Sequence, residues 1–490
     1  MQNLTYRSAT QLLADIREKR ISCSDLLEAF IENIDQKNPR INAVVATDYA
    51  VARRRAKAAD EALKKGENWG PLHGLPITIK DTFEVAGMPC TAGIPLLKEH
   101  MPGQNADVVQ SLLDAGVVIV GKTNVPMGGM DFQSYNDVYG QTNNPWDVAL
   151  TPGGSSGGAA AALAAGMTAL EMGSDIGGSI RIPAHFCGVF GHKSTFNIVP
   201  RHGHIPPSPG LFPADYMSEG DIVAAGPLAR SARDLALAMR LIVKPGPAQR
   251  SAWRIELPPP IKKNLKDCRI GLWLDDPLCP VDAAVGGVLQ DLADKLARAG
   301  VEVVDKQPDI DFARSHEVYV ALFAAVGGVD MPDDMYDRLV VEGGETDLQE
   351  IGPRARFVRG TTQSHRGWLR MDTERQGLRQ KWAQYFEQVD VLLCPAAPVT
   401  AFAHDHRKFY DRTLPVNGQD RSYVNTLYTW SGLAGVAHLP ATAVPAGITS
   451  KGLPVGAQIV GPYLGDRTTI QVAVHIEDEV GGFVPPPELS

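Results

Sequence analysis

Two serines set among glycines are the residues of this chain best suited to covalent chemistry. Ser155 lies in Thr151 to Gly158 (TPGGSSGG), and Ser179 follows twenty-four positions later in SDIGGSIRIPA, behind Gly177 and Gly178. Glycines remove side chains beside a hydroxyl and let consecutive backbone N–H groups converge on one concavity, which stabilises an oxyanion without a metal. A serine hydroxyl is a weak nucleophile at neutral pH and needs an adjacent base. Lys80 ends the apolar run of His73 to Asp81 (HGLPITIKD), where partial desolvation would lower its pKa from about 10.4 toward 7–8 and free its lone pair. These residue types point to acyl transfer. Asp175 and Arg181 flank the second loop with opposite charges and are expected to pair and hold it, the alternative being a solvated arginine.

Three other patterns compete. Gly153 to Gly157 also fits the G-x-S-x-G elbow, which would require an acid and a histidine such as His438 downstream, and it fits equally a Gly/Ser turn capping the Ala-rich helix that follows. Gly116 to Thr123 (GVVIVGKT) matches the phosphate-binding loop pattern letter for letter, but Val117 to Val120 is β-branched and reads as a buried strand, so nucleotide binding is rejected. His404-Asp405-His406 places two imidazoles on one face if extended. Two ligands without a third make a weak metal site, and a polar loop near a pocket mouth is the expected reading.

The elements that must position these residues alternate between strand and helix. Two amphipathic helices open the chain, the second starting at Ser22 with Leu27, Ile31 and Ile34 on one face, and a third is expected over Ala46 to Lys65, stopping at Gly66. From Pro71, short β-branched runs (LPITIK, VVIVG) alternate with Gly-rich loops and helical stretches, which is α/β alternation. Leu257 to Asp267 is a Pro- and Lys-rich connector. RIGLWLD, the helix of Val281 to Gly300, and EVVD continue the pattern, helices fill about 313–388, and a strand is expected over Val389 to Cys394. No repeat is visible, so one elaborated α/β domain over 1–490 is expected.

Composition narrows the function classes. The 490 residues are 44% hydrophobic and 21% charged, near globular averages, and 48 glycines with 36 prolines imply many tight turns. A net charge of −9 lacks the basic footprint of nucleic-acid binding. Six cysteines without a C-x-x-C pair suggest neither a disulfide framework nor zinc, hence a reducing compartment. The N-terminus shows no signal-peptide core, and the longest apolar run, Ala159 to Leu170, falls short of the ~20 residues a membrane helix needs. A cytoplasmic enzyme without membrane contact is expected.

HGLPITIKD, GKTN (Gly121 to Asn124), NPWD with TPGGSSGG (Asn144 to Gly158) and GSDIGGSIRIPA (Gly173 to Ala184) together resemble the amidase signature family, in order and spacing over about 65–240. Leu439 to Pro462 is similar to that family's closing segment, leaving about 310–388 as the variable part. The resemblance implies a mixed central sheet covered by helices and a Ser-Ser-Lys triad. Ser179 would be the nucleophile, and Ser155 would bridge it to Lys80 through a cis Gly154–Ser155 peptide. The N–H groups of Ile176, Gly177, Gly178 and Ser179 would form the oxyanion hole, and the segment Met127, Gly128, Gly129 and Met130 would contact substrate, with no cofactor and no metal. Two departures stand out: Met127 replaces a frequent acidic residue, and Lys193-Ser194-Thr195 replaces Lys-Pro-Thr. Val389 to His406, with Tyr428 and Trp430, resembles bacterial amidases related to fatty-acid-amide hydrolases.

The expected activity is hydrolysis of a small linear amide, aryl or alkyl, with Met127, Phe132, Tyr135, Trp430 and Leu433 as candidate pocket residues. Carbamate or ester cleavage would use the same machinery. The alternative of a different class is the partner-dependent glutaminase subunit of a tRNA-charging amidotransferase. A homodimer is compatible with either, and a non-catalytic binding protein is disfavoured because all three triad positions are present.

Overall fold

Eleven strands pair into one mixed sheet in the computed structural model, which describes residues 4–209, 220–329, 331–345 and 349–487. Their order across the sheet is Val44–Thr47, Val118–Thr123, Pro76–Lys80, Leu170–Asp175, Ala224–Ala229, Phe190–Lys193, Ala441–Ile448, Pro454–Val460, Val391–Pro395, Arg269–Leu272 and Glu302–Asp305. Pro76–Lys80 runs parallel to both neighbours, with Lys80 opposite Thr123 and Thr78 opposite Glu171. Leu170–Asp175 is antiparallel to Ala224–Ala229. Every residue of Pro76–Lys80, Val118–Thr123 and Leu170–Asp175 is buried, as strands covered by helices on both faces require. The arrangement is a single large α/β domain.

Local signals account for most elements. Helix Cys23–Ile41 starts where the Ser22 side chain accepts from Asp25 N, and Leu27, Ile31 and Ile34 are buried. Gly157–Ala164 follows the GGSSGG loop, and helices Phe312–Gly327, Asp333–Glu345, Pro353–Thr361 and His365–Phe386 occupy the middle of the chain. Val118–Thr123 is a strand and not a phosphate loop, and its Lys122 is turned to Asp81.

Several boundaries differ from expectation: the strand expected over RIGLWLD ends at Leu272, and the helix expected from Val281 begins at Ala283 after its Asp282 cap. The helix expected from Ala46 begins at Tyr49, because Val44–Thr47 pairs antiparallel with Val118–Thr123 and Asp48 then caps the helix by accepting from Val51 N at 2.9 Å. The strand expected from Val389 begins at Val391. Asp390 instead brackets Arg269, accepting from its N–H at 2.7 Å and donating to its carbonyl at 2.8 Å.

Candidate active site

Lys80 is the last residue of its strand, at the carboxyl end of three parallel strands, where open α/β sheets leave a crevice. Leu170–Asp175 ends beside it and passes into the Ile176 to Ser179 loop, which opens helix Arg181–Cys187. Ser155 comes from the loop before helix Gly157–Ala164, and its peptide bond with Gly154 is cis. The two serine loops are tied by Ser156 N–H donating to the Ser179 carbonyl at 3.0 Å. Gly154 has no room for a side chain: a Cβ there would lie 2.5 Å from the Asp131 carbonyl oxygen. Lys80, Ser155 and Ser179 are therefore gathered from three separate segments, and all three are buried.

The Lys80 Nζ lies 2.7 Å from Ser155 Oγ and 3.0 Å from Ser174 Oγ, with the Ser174 carbonyl at 3.4 Å. Burial pulls its pKa from 10.5 to about 7, only partly opposed by the charges of Asp175 and Glu171. Glu171 gives little help, because burial pushes its own carboxyl up to about 7 despite hydrogen bonds from the Thr78 and Thr123 hydroxyls. Lys80 thus meets the two requirements of a base toward Ser155, reach and a neutral form at physiological pH.

The loop around Ser179 is braced from below. Arg181 grips Asp175 in a bidentate pair, Nη2 to Oδ1 at 2.8 Å and Nε to Oδ2 at 3.0 Å, with both side chains wholly buried. Burial would raise the Asp175 carboxyl, but the Arg181 guanidinium overrides it and holds the group at about 2. Arg181 Nη1 also donates to the Ser431 carbonyl and to Gln458. Above, the Tyr319 hydroxyl donates to the Ile176 carbonyl at 3.1 Å and the Ser431 hydroxyl to the Gly177 carbonyl at 2.8 Å. A carbonyl pinned on one side turns the N–H of the same peptide to the other.

The consequence differs along the loop. Gly178 N–H is committed to Asp175 Oδ1 at 2.8 Å and Ile180 N–H to Oδ2 at 3.1 Å, so of the four expected oxyanion donors Gly178 is engaged elsewhere. The N–H groups of Gly177 and Ser179 take no partner among the described residues.

The expected substrate-contact segment lies against this site. Met127–Gly129 forms a short turn in which Gly128 and Gly129 have φ of +61° and +73°, and a Cβ on Gly129 would be 3.5 Å from Ser155 Oγ. Met127 and Met130 are 58% and 46% exposed, so this side presents two thioethers to solvent. Tyr428 sits so close to Gly177 that a Cβ there would lie 2.4 Å from its ring, and Tyr428 packs on Phe132 at 4.6 Å and Phe323 at 4.9 Å.

Trp430 and Leu433 are not pocket walls. Trp430 is fully buried against Trp273 and Phe312 with its N–H donating to the Cys279 carbonyl, and Leu433 is core. Tyr135 stacks on His406 at 4.0 Å and accepts from Arg412, which is paired to Asp131. The rings of His404 and His406 stand 6.3 Å apart, and no cluster of three or more His, Cys, Asp or Glu with metal-binding geometry occurs among the described residues. Sequence reasoning missed Tyr319 and Phe323, although both fall on the apolar face of one helix with Phe312 and His316. It also missed Ser174 and His204, for which no spacing signal exists.

A family model described as Amidase matches residues 25–470. The chain belongs to the amidase signature family. Among curated relatives, a glutamyl-tRNA(Gln) amidotransferase subunit from Anaeromyxobacter dehalogenans (strain 2CP-C) is 33% identical over 97% of this chain and 96% of its own length. Among solved structures, a chain from a vestigial protein complex bearing on the origins of an s-triazine catabolic enzyme shares 28% identity with a TM-score of 0.80, covering 98% of this chain and 100% of that one. A bacterial aryl acylamidase of the amidase signature family shares 26% identity with a TM-score of 0.79, covering 97% and 96%. A fatty acid amide hydrolase, at 21% identity, TM-score 0.77 and coverage of 98% and 86%, shares the fold. The chain is an amidase signature amidohydrolase. No helix among the described residues is long and apolar enough to cross a membrane.

Proposed function

We propose that this amidohydrolase cleaves amides through an acyl-enzyme on Ser179, with Ser155 and Lys80 carrying the proton. Ser179 Oγ attacks the carbonyl carbon while its proton passes to Ser155 Oγ and that of Ser155 to the neutral Lys80 amine. The N–H groups of Gly177 and Ser179, with that of Ile176, face the developing oxyanion. Collapse breaks the C–N bond, and the amine leaves with the proton returned along the same path. Water then attacks the ester by the same relay and releases the acid. The observation that carries this reading is the 2.7 Å contact between Ser155 and a buried lysine brought to about 7.

The substrate favoured by the site is a linear aryl or alkyl amide. Tyr428, Phe132 and Phe323 stand beside the oxyanion loop, and Gly129, between the exposed Met127 and Met130, lies against Ser155. The nearby charges of Arg412 and Asp131 are paired with each other. Carbamates and esters present the same acyl carbon and differ in leaving group. A second reading, the glutaminase component of a partner-dependent amidotransferase, is favoured by the whole-length similarity to curated relatives that carry an amidotransferase name.

The test is single-turnover hydrolysis of a chromogenic anilide by the purified chain, with intact-mass detection of the adduct. A burst and an acyl adduct on the wild type, absent from Ser179→Ala, support the free-standing amidase. Ser179 adducts that form only with glutamine and added partner subunits favour the second reading, and no adduct under either condition overturns the mechanism.

A further inference from the structure

The base side of Lys80 continues beyond the two serines. Ser174 Oγ, the second partner of Lys80, lies 2.9 Å from Nε2 of His204, and Nδ1 of that ring lies 3.2 Å from the Pro206 carbonyl. A carbonyl only accepts, so Nδ1 carries the ring proton, and Nε2 of a neutral imidazole is then an acceptor. Burial, with the charges of Arg201 and Lys80, lowers the His204 pKa to about 3, so the ring is neutral. The Ser174 hydroxyl must therefore donate to His204, leaving its lone pairs to accept from Lys80.

This directionality matters because a neutral amine has two N–H bonds and one lone pair. With Ser174 Oγ and the Ser174 carbonyl both accepting, the N–H bonds are engaged on the Ser174 side and the lone pair is left for the Ser155 hydroxyl. Without an acceptor at His204, the Ser174 hydroxyl could turn and donate into that lone pair. We propose that His204, acting through the Ser174 hydroxyl, is the positioning residue that aims the Lys80 lone pair at Ser155.

The ring is placed for this by its own segment. His204 bridges Phe83, three residues beyond Lys80, its ring meets the Phe83 ring edge-on at 4.8 Å, and Ile205 N–H donates to the Thr82 carbonyl. The charged groups to be reckoned with are Arg201 on its own segment, Lys80 on the neighbouring strand, and the Asp175 and Glu171 carboxyls that act on Lys80. The inference rests on Lys80 serving as base.

The test compares wild type, His204→Phe, His204→Gln, Ser174→Ala and the Ser174→Ala/His204→Phe double variant by two readouts. One is the pH dependence of Ser179 labelling by a fluorophosphonate. The other is titration of Lys80 by NMR of lysine-labelled protein, with its signal assigned by loss in Lys80→Met. His204→Phe keeps the ring without the acceptor, and is expected to slow labelling about tenfold and to lower the Lys80 midpoint by about one pH unit. His204→Gln, whose amide oxygen can accept, recovers most of both. In the Ser174→Ala background His204→Phe adds nothing, since the residue it acts through is gone. If the phenylalanine variant does not fold, His204→Leu takes its place. An unmoved midpoint, or an effect that persists undiminished in the Ser174→Ala background, overturns the proposal. A wild type never labelled at Ser179 would overturn the acyl-enzyme reading, and the Lys80 titration would still decide the role of His204.

Discussion

Lys80 and Lys122 lie on adjacent strands one residue out of register, Lys122 opposite Ile79, and both are wholly buried, yet the two faces they occupy treat a lysine in opposite ways. On the Lys122 face, Asp81 Oδ1 stands 3.1 Å from the ammonium, and Asp81 Oδ2 is itself held by the Thr91 hydroxyl at 2.7 Å and the Thr91 N–H at 3.1 Å. Burial pulls Lys122 down, but Cys90 and Asp81 more than offset it, and its pKa is raised. On the Lys80 face the near partners are hydroxyls and a carbonyl. The carboxyls within reach are engaged elsewhere, Asp175 by Arg181 and Glu171 by two threonines, so burial wins. Whether a buried lysine keeps its proton is decided by the ionisable groups the fold sets against it, Cys90 and Asp81 at Lys122 and none in contact at Lys80.

The comparison can be broken at several points. The largest expected effect is Lys80→Met, which removes the proposed base and should lower kcat/KM about 10²–10⁴-fold without lowering thermal stability, measured by steady-state kinetics and calorimetry. Lys122→Met reverses the pattern. It strands the Asp81 carboxylate in the interior and should cost about 3–5 kcal/mol in denaturant unfolding. An equal loss of stability in both variants would dissolve the contrast.

The pH dependences sharpen it further. Activity should rise with pH through about 7 as Lys80 loses its proton, falling about tenfold per unit below that midpoint. The same shift has a stability signature of definite sign: between about 7 and 10.5 the unfolded chain holds a proton on residue 80 that the folded chain does not. Stability should therefore increase with pH across that window, and Lys80→Met should flatten this part of the curve. The smallest effect is Thr91→Val, which removes one hydroxyl from the Asp81 carboxylate and should cost about 1.5–3 kcal/mol while leaving the activity midpoint unmoved.

Much of this is legible in the chain itself. The run Val117 to Val120 excludes a phosphate loop on β-branching alone, and Val118–Thr123 is a strand. The start of the third helix is not legible, because Ala46 suits a helix locally, and pairing with a strand more than seventy residues away decides otherwise. Trp430 and Leu433 suggest pocket residues by apolar character, which suits a core residue equally; only the packing of Trp430 on Trp273 and Phe312 separates the two.

The sequence by itself determined the chemical inventory: a lysine ending an apolar strand, two serines in glycine-rich loops, and an acidic and a basic residue flanking the second loop. These follow from residue type and local spacing, which covalent connectivity preserves. Only the tertiary structure decided that Gly178 N–H belongs to Asp175, that Lys122 has a carboxylate and Lys80 has none in contact, and that His204 reaches Ser174 across thirty positions of chain. Hydrogen-bond direction and desolvation depend on what the fold brings within a few ångströms, and no spacing in the chain encodes that.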